Sequence, residues 1–357
     1  MKICILVGTR PEIIKMAPVI RECERRKLDF FIVHSGQHYS YNMDKIFFEE
    51  LKLPEPKYNL EVGSGAHYAQ TALILERIGE VFSKEKPDVL IVQGDTNTVF
   101  AGAITASKMG IRVAHVEAGL RSYDRSMPEE INRILTDHCS DLLFAPTKLQ
   151  RKILIKEGIP KERIFVTGNT IVDSVRENIK FSDGKILEKF GLKKGNYFLI
   201  TAHRQENVED KTRLEGILNG IKMLYDKFGL QIIYPLHPRT KKKIEEFNLS
   251  IPKEIIIAEP LGFLEFLRLE SDSALILTDS GGLQEEACIL KVPCVTLRDN
   301  TERPETIEAG ANMLSGINPE KIVECAGKML AARRDWKNPL GKGKSARKII
   351  DAILDCK

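Results

Sequence analysis

Two carboxylates and one histidine stand just past apolar runs, where a folded chain presents polar groups to a ligand, and a third carboxylate stands at a helix start. Asp95 falls in Gln93-Gly94-Asp95-Thr96-Asn97 and Glu117 in His115-Val116-Glu117-Ala118-Gly119-Leu120-Arg121. Glu129 falls in Met127-Pro128-Glu129-Glu130-Ile131-Asn132-Arg133, and His203 in Thr201-Ala202-His203-Arg204-Gln205-Glu206-Asn207. Carboxylates and imidazoles take and give protons, so the set points to general acid–base chemistry. Each motif also has an ordinary reading. Asp95 and Thr96 are both good helix caps, and Pro128 followed by acids is a normal helix start. His203 reads alone as a satisfied histidine on a sheet rim, and Glu117 as an internal ion pair with Arg121 or Arg125. A carboxylate at the end of a buried strand is costly unless paired or used. Period-two alternation places His115 and Glu117 on one side of an extended strand.

A second set of residues is built for anions. In Leu277-Thr278-Asp279-Ser280-Gly281-Gly282-Leu283-Gln284-Glu285-Glu286 an apolar strand ends, a Ser-Gly-Gly turn follows and a helix opens. Backbone N–H groups at such a start can cradle a diphosphate, because Gly281 and Gly282 let it approach closely. Glu286 lies about one turn into that helix and is suited to ribose hydroxyls, as in dinucleotide folds. Arg303, in Thr301-Glu302-Arg303-Pro304-Glu305, is a candidate phosphate ligand. Gly8-Thr9-Arg10-Pro11-Glu12, with Lys15 further on, makes another positively charged helix start. Neither a GxGxxG fingerprint nor a Walker lysine loop occurs. DxD, HExxH and Cys/His metal patterns are absent too, so no metal and no cofactor are expected.

Apolar strand runs alternating with amphipathic stretches must position these groups. Ile3–Val7, Phe30–Ser35, Val89–Gln93, Val113–Glu117, Leu142–Ala145 and Ile164–Thr167 form one series. Tyr197–Thr201, Gln231–Leu236, Ile255–Ala258, Ala274–Thr278 and Val292–Leu297 form a second. Continuous apolar strands with helices between them predict parallel sheets covered on both faces, here in two Rossmann-like halves. In such sheets ligands bind at the carboxyl ends of the strands, where the motifs above fall. The expected division is 1–170, a linker over 171–190, a second domain over 191–340 and a C-terminal helix over 341–357.

Composition fits this reading. The 357 residues carry 43% hydrophobic and 29% charged side chains, enough for two cores and their solvated surfaces. A net charge of +4 without a basic stripe argues against a nucleic-acid binder and fits a small anionic substrate. Seven cysteines with no CxxC read as reduced thiols of a cytoplasmic protein. No stretch approaches the ~18–20 apolar residues of a membrane span.

In chain order from residue 8 to 305, these motifs resemble those of the non-hydrolysing UDP-N-acetylglucosamine 2-epimerases. The resemblance implies an α/β fold of the GT-B type, two Rossmann-like doubly wound parallel-sheet domains facing a central cleft. It implies interconversion of UDP-GlcNAc and UDP-ManNAc at C2, by anti elimination of UDP to 2-acetamidoglucal and syn re-addition. Asp95, Glu117, Glu129 and His203 match the catalytic positions. Arg10, Lys15, Ser280, Gly281, Gly282 and Arg303 would hold phosphates, Glu286 the ribose and Phe266 the uracil. The resemblance also implies a homodimer and an effector site for a second UDP-GlcNAc at Gln37, His38, Gln70 and His237. Ala69 stands there where many relatives carry arginine, with His67 close in sequence. Competing readings are a GT-B glycosyltransferase, a hydrolysing epimerase and a nucleotide-sugar sensor.

Overall fold

A computed structural model describes residues 1–37 and 47–356. The chain divides into two compact units, Met1–Arg176 with Leu340–Lys357, and Glu177–Pro339. The first holds a seven-stranded parallel sheet in the order β3-β2-β1-β4-β5-β6-β7. Its strands are β1 Lys2–Val7, β2 Asp29–His34, β3 Tyr58–Asn59, β4 Val89–Gln93, β5 Arg112–Val116, β6 Leu142–Ala145 and β7 Ile164–Val166. The second holds a six-stranded parallel sheet in the order β10-β9-β8-β11-β12-β13. Here the strands are β8 Tyr197–Thr201, β9 Gln231–Pro235, β10 Ile255–Ala258, β11 Leu275–Thr278, β12 Cys294–Thr296 and β13 Asn312–Leu314. Two short strands, β3 and β13, escape the apolar pattern because neither carries a continuous apolar run.

The burial of β4, Val-Leu-Ile-Val-Gln, shows why the strands read as unbroken apolar runs: all five residues are buried. In the second unit the alternation of side chains sorts one strand into two cores. Ile232 and Tyr234 pack on one face of the sheet with Phe198, Ile200 and Leu277, while Ile233 packs on the other with Tyr197, Leu199 and Ile276. Helices begin where the sequence supplies caps. Thr96 accepts from Val99 N, Asp210 from Arg213 N and Asn318 from Lys321 N.

The segment expected to be a linker is largely helical. Helix Thr170–Asn178 spans the division between the units, and Lys185–Lys189 buries Ile186 in the core of the second unit. The chain returns to the first unit at Leu340, whose carbonyl accepts from Asn169 N at 2.8 Å. Gly168 lies at this crossing with φ +90°, and a Cβ there would strike Ser345 Oγ at 2.7 Å. The final helix, Ser345–Asp355, packs on helix Arg10–Arg25 and buries Ile349, Ile350 and Ile353, and Arg26 pairs with Asp351 at 2.6 Å. Among the described residues, no helix is long and apolar enough to cross a membrane.

Candidate active site

Both sheets reverse their strand order beside the first strand, between β1 and β4 and between β8 and β11. The loops past these strand ends carry Gly8–Glu12, Asp95, His203 and Ser280, the usual ligand positions of an open α/β sheet. In the first unit Thr96, not Asp95, caps the following helix. The Asp95 carboxylate pairs instead with Arg133, at 2.8 Å from Nε and 2.7 Å from Nη2. Asn132 Nδ2 donates to the Asp95 carbonyl at 3.0 Å.

Glu117 follows β5 in the left-handed region, φ +71°, an unusual conformation for a residue with a Cβ. The extended alternation therefore stops at Val116, and His115 and Glu117 reach different partners. Lys15 Nζ donates to both Glu117 oxygens at 2.8 Å, and Gln93 Nε2 also donates to this carboxylate. Lys15, expected at a phosphate, is thus held on Glu117. Arg121, expected as an ion partner of Glu117, binds Asp137 at 2.7 Å and Glu157 at 2.5 and 2.9 Å. Glu129 is half-buried in the first turn of helix Pro128–Cys139. Its neighbour Glu130 is buried and accepts from Ser122 N at 2.9 Å, Tyr123 N at 3.0 Å and Arg133 Nη1 at 2.6 Å. Burial works to raise the Glu130 carboxyl, but these bonds outweigh it and hold it below the usual range.

Arg10 lies with its guanidinium 4.5 Å from the centre of the Phe47 ring. Glu12 is 2% exposed and accepts from Gly8 N at 2.5 Å. Burial pushes its carboxyl up to about 7.

The second unit assembles around Asp279, fully buried just past β11. Its carboxylate accepts from His203 N at 2.9 Å, Arg204 N at 2.9 Å and Asn207 Nδ2 at 3.1 Å. His203 is thereby fixed by its own backbone. Its ring is partly exposed, 3.5 Å from Asp279 through Nδ1, and stacks on the His237 ring at 5.8 Å. Burial draws the His203 imidazole below its ordinary value more strongly than Asp279 raises it. His237 also caps helix Pro238–Glu246 by accepting from Arg239 N at 3.1 Å.

Ser280, Gly281 and Gly282 open helix Gly281–Leu290. Neither glycine has a positive φ, and an added Cβ would meet protein atoms only at 3.8–3.9 Å. Among the described residues nothing demands glycine here, so the space kept open over the helix start suits a ligand. Arg303 Nη2 lies 3.9 Å from where the Gly281 Cβ would stand. Arg303 is held by Glu285 at 2.5 Å, and the neighbouring Glu302 binds buried Arg298 at 2.9 Å. Burial raises the Glu302 carboxyl, but Arg298 draws it down to about 2. Glu286 is buried within the same helix, and Phe266 is a half-buried residue at the edge of the core formed by Leu261 and Leu269.

Gln37 and Gln70 come together in the first unit, where Gln70 Nε2 donates to the carbonyls of Gln37 at 3.2 Å and Gly63 at 2.8 Å. Thr98 Oγ1 donates to Gln37 Oε1 at 2.7 Å. Asn97 Nδ2 donates to Gln70 Oε1 at 2.8 Å and lies 3.2 Å from His67 Nδ1. His38 lies outside the described residues. Sequence reasoning missed Asp137, Asn132, Arg133 and Asp279 as functional supports, although each stands inside or beside a motif it quoted.

Two Rossmann-like units, each built on a parallel sheet, define a fold of the GT-B type. The sequence model of the family described as UDP-N-acetylglucosamine 2-epimerase matches residues 21–354. A UDP-N-acetylglucosamine 2-epimerase of Methanocaldococcus jannaschii is 57% identical, with 98% of each chain covered. A crystal structure of the M. jannaschii UDP-GlcNAc 2-epimerase in complex with UDP-GlcNAc and UDP superposes with a TM-score of 0.94 at 56% identity. That match covers 99% of this chain and 100% of the other. A UDP-2,3-diacetamido-2,3-dideoxy-D-glucuronate 2-epimerase of Pseudomonas aeruginosa is 41% identical over 91% of each chain. The chain belongs to the UDP-N-acetylglucosamine 2-epimerase family.

Proposed function

We propose that the protein interconverts UDP-GlcNAc and UDP-ManNAc without hydrolysing them. The observation that carries this reading is the pair of carboxylates past β4 and β5, each fixed by a cation: Asp95 on Arg133 and Glu117 on Lys15. The C2 hydrogen lies beside an amide nitrogen, not a carbonyl, so direct deprotonation is too costly. Elimination avoids this cost. A base takes the C2 proton while the C1–O bond to UDP breaks, leaving C1=C2 in enzyme-bound 2-acetamidoglucal. A second acid then protonates C2 on the opposite face as UDP re-adds to C1.

Asp95, Glu117 and Glu129 supply the proton-transfer groups and His203 assists the departing diphosphate. Ser280, the N–H groups of Gly281 and Gly282, Arg303 and Arg10 neutralise that diphosphate. Glu286 takes the ribose and Phe266 the uracil. Lys15 holds both oxygens of Glu117 in place. Gln37 and Gln70 take part in binding a second nucleotide sugar as effector, with hydrogen bonds that reach Asp95 through Asn97 and Asn132.

Incubation with UDP-GlcNAc in deuterated solvent, resolving UDP-ManNAc, free ManNAc and UDP, tests this reading. The expected outcome is UDP-ManNAc carrying deuterium at C2 with no accumulation of free sugar. Full retention of protium at C2 sinks the mechanism, and release of free ManNAc makes the protein a hydrolysing enzyme. UDP-2,3-diacetamido-2,3-dideoxyglucuronate serves as the second substrate in the same assay, because the P. aeruginosa relative is named for it.

A further inference from the structure

His115 lies near the end of β5 and is 1% exposed. Its Nδ1 stands 2.7 Å from Asp137 Oδ1 and its Nε2 stands 2.9 Å from the Gly94 carbonyl. A carbonyl only accepts. Asp137 is an ionised acceptor as well: burial raises its carboxyl, but His115 and Arg121 outweigh burial and hold it low. The imidazole thus bridges Asp137 and the Gly94 carbonyl. The carbonyl it holds belongs to Gly94, φ +88°, the residue before Asp95.

The second oxygen of Asp137 accepts from Gly119 N at 3.1 Å and from Arg121 Nη2 at 2.7 Å. Gly119, φ +85°, lies two residues past Glu117 and is locked in place, since a Cβ there would meet Gln150 O at 2.8 Å. One buried carboxylate thus touches the turn after Glu117 directly and the turn before Asp95 through His115. The Asp95 carboxylate and carbonyl are held separately, by Arg133 and Asn132.

We propose that Asp137 and His115 act as a positioning pair that sets the Asp95 and Glu117 turns relative to each other. Both side chains are about 1% exposed, so they act through other groups and not on a substrate. The inference rests on the acid–base roles proposed above, where a displacement of about 1 Å can cost ~10²-fold in rate.

The two amides that imitate one imidazole nitrogen each provide the test. A glutamine at 115 reaches about as far as Nε2 and keeps the donation to Gly94. An asparagine reaches about as far as Nδ1 and keeps the donation to Asp137. His115→Asn is expected to lower kcat for UDP-GlcNAc about 10²-fold with KM and UDP affinity within ~3-fold of the parent. His115→Gln is expected to recover at least ~10-fold of that loss. A purely structural role in neutralising Asp137 gives the reverse order, and that order overturns the proposal.

Should the unaltered chain fail to epimerise UDP-GlcNAc, the reaction assignment falls. The positioning claim is then decided by the amide signals of Gly94 and Asp95, which His115→Asn should displace and His115→Gln should leave near their original places. Equal displacement in both variants counts against it.

Discussion

The two units share a plan and treat their strand ends in opposite ways. Both sheets are parallel, and each reverses strand order beside its first strand. In the first unit the charges beyond the strands are fastened to one another: Asp95 to Arg133, Glu117 to Lys15, His115 to Asp137, Arg121 to Asp137 and Glu157. In the second unit the ion pairs Arg298–Glu302 and Arg303–Glu285 stand beside a helix start made of two bare glycines. Proton transfer needs groups held within a fraction of an ångström, and partners provide that hold. Anion binding needs unfilled space next to N–H donors, and the absence of side chains provides it.

The largest expected effects come from breaking the fastened end. Asp95→Asn and Glu117→Gln should each lower turnover by ~10²–10⁴-fold, the scale of lost acid–base groups. UDP affinity, measured by titration calorimetry, should stay unchanged, because these groups belong to the other kind of strand end. A parallel loss of UDP affinity would erase the division of labour between the units.

Filling the open end should do the converse. Gly282→Val puts atoms where a Cβ meets only Ser280 Oγ, at 3.8 Å, so the melting temperature should not fall. UDP affinity should drop by about 10²-fold, as two charge-assisted hydrogen bonds are lost at roughly 1.5 kcal/mol each. Unchanged UDP affinity with the fold intact would mean that the space over this helix start is not used.

The same contrast explains what the sequence discloses. The strands of both sheets were legible because a parallel sheet buried on both faces demands unbroken apolar runs, and β4 and β8 supply them. β3 and β13 were not, being only two and three residues long. Among the candidate site residues, the glycines after Ser280 could be read directly, since an open space is written as missing side chains. The partner of Glu117 could not. The pattern offered Arg121 and Arg125 nearby in sequence, while the structure brings Lys15 from 102 residues away. Asp137 was equally hidden, because nothing in Thr136-Asp137-His138 distinguishes a buried aspartate from a solvated one.

Glu12 sharpens the comparison most finely, because its carboxyl is buried and accepts from the backbone, at Gly8 N. Burial raises its carboxyl from 4.5 to about 7. In the folded chain Glu12 therefore keeps its proton at pH values where the unfolded chain has lost it. Between about pH 4.5 and 7 the folded state binds more protons, so this residue's contribution to stability is present below 4.5 and declines as pH rises through 7. Glu12→Gln retains an acceptor for Gly8 N and removes the titration. The substitution should thus stabilise the protein more at pH 8 than at pH 5, by about 2–3 kcal/mol between the two. Urea unfolding at the two pH values reads the difference. A gain that is the same at both would show that Glu12 ionises as readily as an exposed glutamate. It would then belong with the fastened charges of the first unit and not with its buried, neutral groups.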